Sequence, residues 1–130
     1  FGHTFDIDPW LIAANFHACG AIDFKERQGV DALARAVDGV IAKARIKHAE
    51  YGLKEDPYVF VKADSGTYGM GIMTVRDGSE LLEMNKKERN KMHVIKEGRQ
   101  VSEVIIQEGI PTCDTVAEKP AEPMIYLIDG

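Results

Sequence analysis

Lys62 is followed by three glycines at positions 66, 69 and 71, and this spacing is the chain's clearest invitation to chemistry. The stretch is Tyr58–Val75, YVFVKADSGTYGMGIMTV. Lys62 brings a full positive charge. Gly66, Gly69 and Gly71 let the backbone adopt positive φ and approach a ligand closely. Successive backbone N–H groups in such a segment can form a concavity that binds anions. Ser65, Thr67 and Tyr68 add hydroxyl donors. Together these groups suit a polyphosphate.

The order of elements separates the known kinds of phosphate loop. A dinucleotide fingerprint needs G-x-G-x-x-G opening a helix, and a Walker loop needs G-x-x-x-x-G-K-[ST] before a helix. Here the flanks Tyr58–Val61 and Ile72–Val75 are β-branched and aromatic, so both read as strands. A protein-kinase loop carries its lysine after the glycines. In this chain the lysine comes first, an order similar to the hairpin lid of ATP-grasp enzymes. An ordinary hairpin with a long glycine loop is the plainer alternative.

A second candidate lies at Gln107-Glu108-Gly109-Ile110, at the end of the apolar run Val101–Glu108. Two polar residues beside a glycine at a strand end could offer backbone N–H and C=O groups to a planar base. Lys25 and Arg27, in the connector Ile22–Gly29, and the basic run Lys86, Lys87, Arg89 and Lys91 could meet an anion or could be solvated faces. Neither His17 nor the distant pair Cys19 and Cys113 has metal-ligand spacing, and no metal site is assigned.

The elements that must position these groups follow from periodicity. Asp8-Pro9 reads as a helix start, with the helix running to Cys19 and stopping at Gly20. Val30–Tyr51 is the clearest helix: Val30, Leu33, Ala34, Val37, Val40, Ile41 and Ala44 recur at helical steps, and Gly52 and Pro57 end it. Asp77-x-x-Glu80 has the form of a capping box, predicting a helix over 80–92. Val94–Gln100 reads as a connector, 112–123 as a loop, and Met124–Ile128 as a last strand. The fold class predicted is α+β, with antiparallel strands and helices packed on the sheet. It divides into a helical lead-in over 1–57 and a nucleotide-binding part over 58–130.

Composition excludes several roles. With 16 basic against 21 acidic residues the net charge is −5, which argues against nonspecific nucleic-acid binding. No apolar run approaches the ~20 residues that span a bilayer, and no signal peptide is visible. Two distant cysteines suggest reduced thiols and a cytoplasmic setting. The chain begins at Phe1 and stops at Asp129-Gly130, directly after an apolar run, so it reads as an internal piece of a longer protein.

Assembled, the order strand–Lys62–glycine loop–strand, helix, strand–Gln107-Glu108-Gly-Ile, strand–Asp-Gly resembles the nucleotide-binding part of the ATP-grasp superfamily. The strings VKADSGTYGMGIMTV, NKKERNKM, VIIQEGIPT and EPMIYLID, with IDPWLIAANFHACGAIDFKERQG upstream, resemble the ATP-grasp-like glutamate–cysteine ligases of proteobacteria. The resemblance implies ATP-dependent joining of the γ-carboxylate of L-glutamate, through an acyl phosphate, to the amine of L-cysteine. That is the first step of glutathione synthesis. It implies that Lys62 holds the ATP phosphates and that Ser65, Gly66, Thr67, Tyr68, Gly69 and Gly71 form the lid. Gln107 to Ile110 would be the hinge at the adenine edge, with Glu108 its polar anchor. Mg²⁺ would be held by residues beyond 130, so this stretch alone is not expected to turn over. Another amino-acid ligase of the same superfamily, or a non-catalytic ATP-binding or regulatory module, are the alternatives.

Overall fold

The computed structural model describes residues 2–63, 71–92, 102–111, 114–121, 126 and 128. A short helix, α1 (Gly2–Phe5), and a 3-10 turn over Pro9–Leu11 lead into strand β1 (Phe16–Ile22). Helix α2 (Val30–Glu50) follows, then β2 (Val59–Ala63) and β3 (Ile72–Val75). Two short helices, α3 (Ser79–Leu82) and α4 (Lys86–Met92), precede β4 (Ser102–Glu108). A small hairpin, β5 (Thr115–Val116) and β6 (Lys119–Pro120), comes last.

Four strands form one antiparallel sheet in the order β1-β4-β2-β3. Strand β1 lies before residue 58, yet it pairs with β4 from Phe16↔Gln107 to Ile22↔Ser102. Side chains alternate across the sheet, so each strand serves two surfaces. Val59, Val61 and Ala63 of β2, Val104 and Ile106 of β4 and Val75 of β3 point to one face and are buried. Helix α2 lies on that face with Leu33, Val37, Val40 and Ile41. Leu81, Met84 and Met92 close the same core. Each such side chain, fully withdrawn from water, contributes about 1.5–3 kcal/mol. On the other face lie Phe16, Ile105 and Gln107, with Phe60, Lys62 and Thr74 beside them. Phe16 is 70% exposed and Ile105 43%, so among the described residues this face has no cover.

The architecture is α+β with helices packed on an antiparallel sheet, and α2 matches the predicted helix almost to the residue. The helix predicted over Asp8–Cys19 is a correction. Asp8 does cap, accepting from Trp10 N at 2.9 Å, and Pro9 stands at the first position, but only one 3-10 turn forms. Phe16–Ile22 becomes an edge strand because β4 offers it a free ladder. Pairing of that kind overrides the weak strand propensity of Ala and Gly. Gly20, the expected stop, sits where the register slips between Cys19 and Ala21.

The single helix predicted over 80–92 is two. The N-cap of the first falls on Gly78, which makes no side-chain cap bond, so the expected Asp77–Glu80 box does not form; Asp77 instead accepts from Ser79 N and Glu80 from Arg76 N. A box further on interrupts the predicted helix: Asn85 Oδ1 accepts from Glu88 N at 3.0 Å, and Glu88 Oε2 accepts from Asn85 N at 2.8 Å. Within the predicted loop 112–123, residues 115–120 pair as the β5–β6 hairpin. The connector 94–100 lies outside the described residues, as do all but Tyr126 and Ile128 of the predicted last strand. No helix among the described residues is long and apolar enough to cross a membrane.

Candidate functional site

Lys62 is the fourth residue of β2, on the uncovered face. It alternates with Val61 and Ala63, whose burial against α2 fixes that orientation. Register pairs Phe60 with Gln107 across β2 and β4, placing Gln107 on the same face. The Lys62 ammonium donates to Gln107 Oε1 at 2.7 Å and lies 5.6 Å from the centre of the Phe60 ring. The sheet thus joins two candidates that are 45 positions apart in sequence. Both partners are half-buried. Among the described residues Lys62 has no carboxylate partner, so its charge meets only an amide dipole and an aromatic face.

Gly71 closes the segment that follows Lys62. Its carbonyl accepts from Ala63 N at 2.8 Å, and its φ of 68° is one that a side chain would oppose. Residues 63 and 71 are therefore held together as the base of a hairpin. Ser65, Gly66, Thr67, Tyr68 and Gly69 lie outside the described residues.

Glu108 is placed differently. One residue after Gln107, it faces the opposite side of the sheet and is 2% exposed. Its Oε2 accepts from Asn15 Nδ2 at 2.7 Å and from Asn15 N at 3.0 Å. Trp10 Nε1 donates to both oxygens, at 3.0 and 3.2 Å. His48 Nε2 stands 3.8 Å from Oε1. Trp10 in turn stacks on Tyr51 of the turn after α2, with ring centres 5.3 Å apart. The backbone continues the attachment, Glu108 N donating to Asn15 O and Gly109 N to Tyr58 O, each at 2.8 Å.

Ile110 is 65% exposed at the mouth of a cavity of about 470 Å³ that Trp10, His48, Leu53, Glu108 and Pro111 also line. Gln107 and Glu108 therefore end one strand on opposite faces of the sheet, with Ile110 just beyond them. Alternation along a strand already implies that neighbours cannot share a face. The roles of Trp10 and Asn15, 98 and 93 positions from Glu108, had no signal in the sequence.

Two of the remaining candidates are occupied in structural ways. Arg27, at positive φ, donates to the Leu82 carbonyl, and Arg89 to the Met84 carbonyl at 2.8 Å. Lys25, Lys86, Lys87 and Lys91 are exposed. His17 is exposed on β1, and among the described residues no group of three His, Cys, Asp or Glu is placed to hold a metal ion.

Residues 1–130 match the family model GshA, glutamate-cysteine ligase. The chain is also similar to a crystal structure from Methylobacillus flagellatus KT, of a protein assigned as gamma-glutamylcysteine synthetase. The TM-score is 0.77 and the sequence identity 55%, over 86% of this chain and 26% of that one. The chain thus spans about a quarter of that relative's length. No curated protein matches it.

Proposed function

This chain belongs to the glutamate–cysteine ligase family, and on that footing we propose that it is the part of such a ligase that holds ATP. The whole protein would join the γ-carboxylate of L-glutamate to the amine of L-cysteine. In the proposed reaction the carboxylate oxygen takes the γ-phosphoryl group and ADP leaves. The cysteine amine then displaces phosphate from the acyl carbon and loses a proton. The product is γ-glutamylcysteine, made in the cytoplasm as the first step of glutathione synthesis.

The observation that carries the reading is the Lys62 ammonium. It stands on an uncovered sheet face beside the base of a glycine hairpin, held at 2.7 Å by a neutral amide. A cation with no carboxylate partner among the described residues, in that position, fits a triphosphate. Phosphoryl transfer asks a protein mainly for positioning and charge neutralisation. Lys62 would bind the phosphates, and Gln107 would hold its side chain out over the sheet. Ser65, Gly66, Thr67, Tyr68, Gly69 and Gly71 would close above them and keep water from the acyl phosphate. The backbone of Gln107, Glu108 and Ile110 would form the hinge at the adenine edge, with the Glu108 side chain turned to the other face of the sheet, in an ATP-grasp-like arrangement spread over 58–130. Mg²⁺, which would neutralise phosphate charge, would be held by residues beyond 130.

The test is Lys62→Ala in the complete protein, assayed with ATP, glutamate and cysteine. Loss of a hydrogen bond to a charged group costs ~1.5–3 kcal/mol, so the KM for ATP should rise by roughly 10- to 100-fold. The KM for glutamate should change little. An unchanged KM for ATP would overturn the assignment.

A further inference from the structure

Gln107 and Glu108 lie next to each other on β4, one on the face proposed for nucleotide and one buried beneath it. We infer that Glu108 is a positioning residue. It fixes the end of β4, and through it the Lys62–Gln107 pair, without touching the base. The inference rests on the nucleotide-site reading above.

The geometry is that of a pin. β4 is paired with β1 as far as Gln107 and with β2 as far as Glu108, so both ladders end at this point. Beyond that point the chain runs on through Gly109 and Ile110 without a ladder. The carboxylate stops this end from fraying or turning. On one side it gathers Trp10 Nε1, Asn15 N and Asn15 Nδ2 from the segment before β1. On the other, Gly109 N holds to Tyr58 O, and a Cβ at Gly109 would come within 2.0 Å of the Tyr58 ring, so the two chains are in close contact there. A buried carboxylate is costly unless its lone pairs are filled, and here donors from two residues fill them. Trp10 is itself braced by Tyr51, so the pin reaches the end of α2.

A twist of the strand end would move Gln107 on the opposite face, because the two residues share one backbone. Lys62 would then lose its only amide partner among the described residues. The side chains that hold the carboxylate, Trp10 and Asn15, lie on the helix side of the sheet with Glu108 itself, so this hold can be loosened without altering Lys62 or Gln107.

The experiment uses the complete protein with Trp10→Phe, Glu108→Gln and Glu108→Ala, beside Lys62→Ala. Trp10→Phe keeps an aromatic ring, though a smaller one, and removes the Nε1 donor. Glu108→Gln keeps the shape and one acceptor oxygen. A misplacement of about 1 Å can cost up to ~100-fold. The expected result is a graded rise in the KM for ATP. Trp10→Phe and Glu108→Gln should give several-fold, and Glu108→Ala more, with the KM for cysteine near that of the unaltered protein. The preference for ATP over ITP, which lacks the 6-amino group, should stay the same in every variant.

If Trp10→Phe and Glu108→Gln leave the KM for ATP unchanged while Lys62→Ala raises it, the positioning role is overturned and the nucleotide site stands. If the Glu108 variants change the ATP-to-ITP preference, Glu108 reads the base directly and the inference is again overturned. If Lys62→Ala has no effect on ATP, the nucleotide-site reading fails first, and the inference with it. Should Glu108→Ala fail to fold, the two milder variants decide.

Discussion

Three donors converge on the carboxylate of Asp8. Lys47 Nζ approaches Oδ2 at 2.5 Å, the Tyr51 hydroxyl donates to the same oxygen at 2.8 Å, and Trp10 N donates to Oδ1. The Lys47 ammonium is the main reason its pKa falls from 3.8 to about 2, with Trp10 N and the Tyr51 hydroxyl adding to it. The same contact raises Lys47, and the bond to Asp8 raises the Tyr51 phenol. A depressed folded-state carboxylate stabilises the fold fully above its unfolded pKa and loses that contribution as pH falls through the folded one. The Asp8 contribution is therefore complete above pH 3.8 and disappears as pH drops through about 2. Lys47 acts in the other direction, contributing fully below 10.5 and losing the contribution only in strong base. Asp8→Asn should flatten the acid limb of a stability–pH curve measured by thermal unfolding, leaving the neutral region nearly parallel to the unaltered protein. An acid limb of unchanged slope would show that the carboxylate is not held in this way.

At the scale of elements, α3 sits so close to α2 that one residue has no room for a side chain. Gly78 N donates to Asp38 Oδ1 at 2.7 Å, and a Cβ at Gly78 would lie 2.5 Å from the Ala34 carbonyl oxygen. Its φ of −66° is ordinary, so the requirement is one of space and not of backbone conformation. Gly78→Ala must push α3 off α2 and disturb Leu81 beneath it. The expected cost is about 1–3 kcal/mol, as for overpacking elsewhere, read as a lowered midpoint in denaturant. A neutral outcome would mean that α3 can shift freely. Periodicity showed α2 and both hairpin strands because each has a long, one-sided apolar pattern. It did not show the break between α3 and α4, although the box Asn85-Lys86-Lys87-Glu88 was there to be read. A charged run with few apolar residues has no face whose phase reports an interruption.

For the whole molecule, the two faces of the sheet have different fates. Ile105 and Ile106 are neighbours on β4, one 43% exposed on the face of Lys62 and the other fully buried under α2. Ile106→Ala should cost about 2–5 kcal/mol through the cavity it leaves. Ile105→Ala should cost under about 1 kcal/mol, as for a change away from the core. Equal effects, in paired thermal melts, would show that the Lys62 face is as well packed as the core. The sequence by itself determined the parts whose signals are local. These are the α2 stripe, the two strands around Lys62, the strand ending at Glu108, and the lysine–glycine order that points to a polyphosphate. Only the tertiary structure decided that Phe16–Ile22 is a strand, since its ladder is supplied by residues 102–107, far later in the chain. It also decided that Lys62 meets Gln107 while Glu108 turns to Trp10 and Asn15. Hydrogen bonds between distant residues depend on strand register and on the side each residue faces, and both are fixed only when the sheet closes over α2.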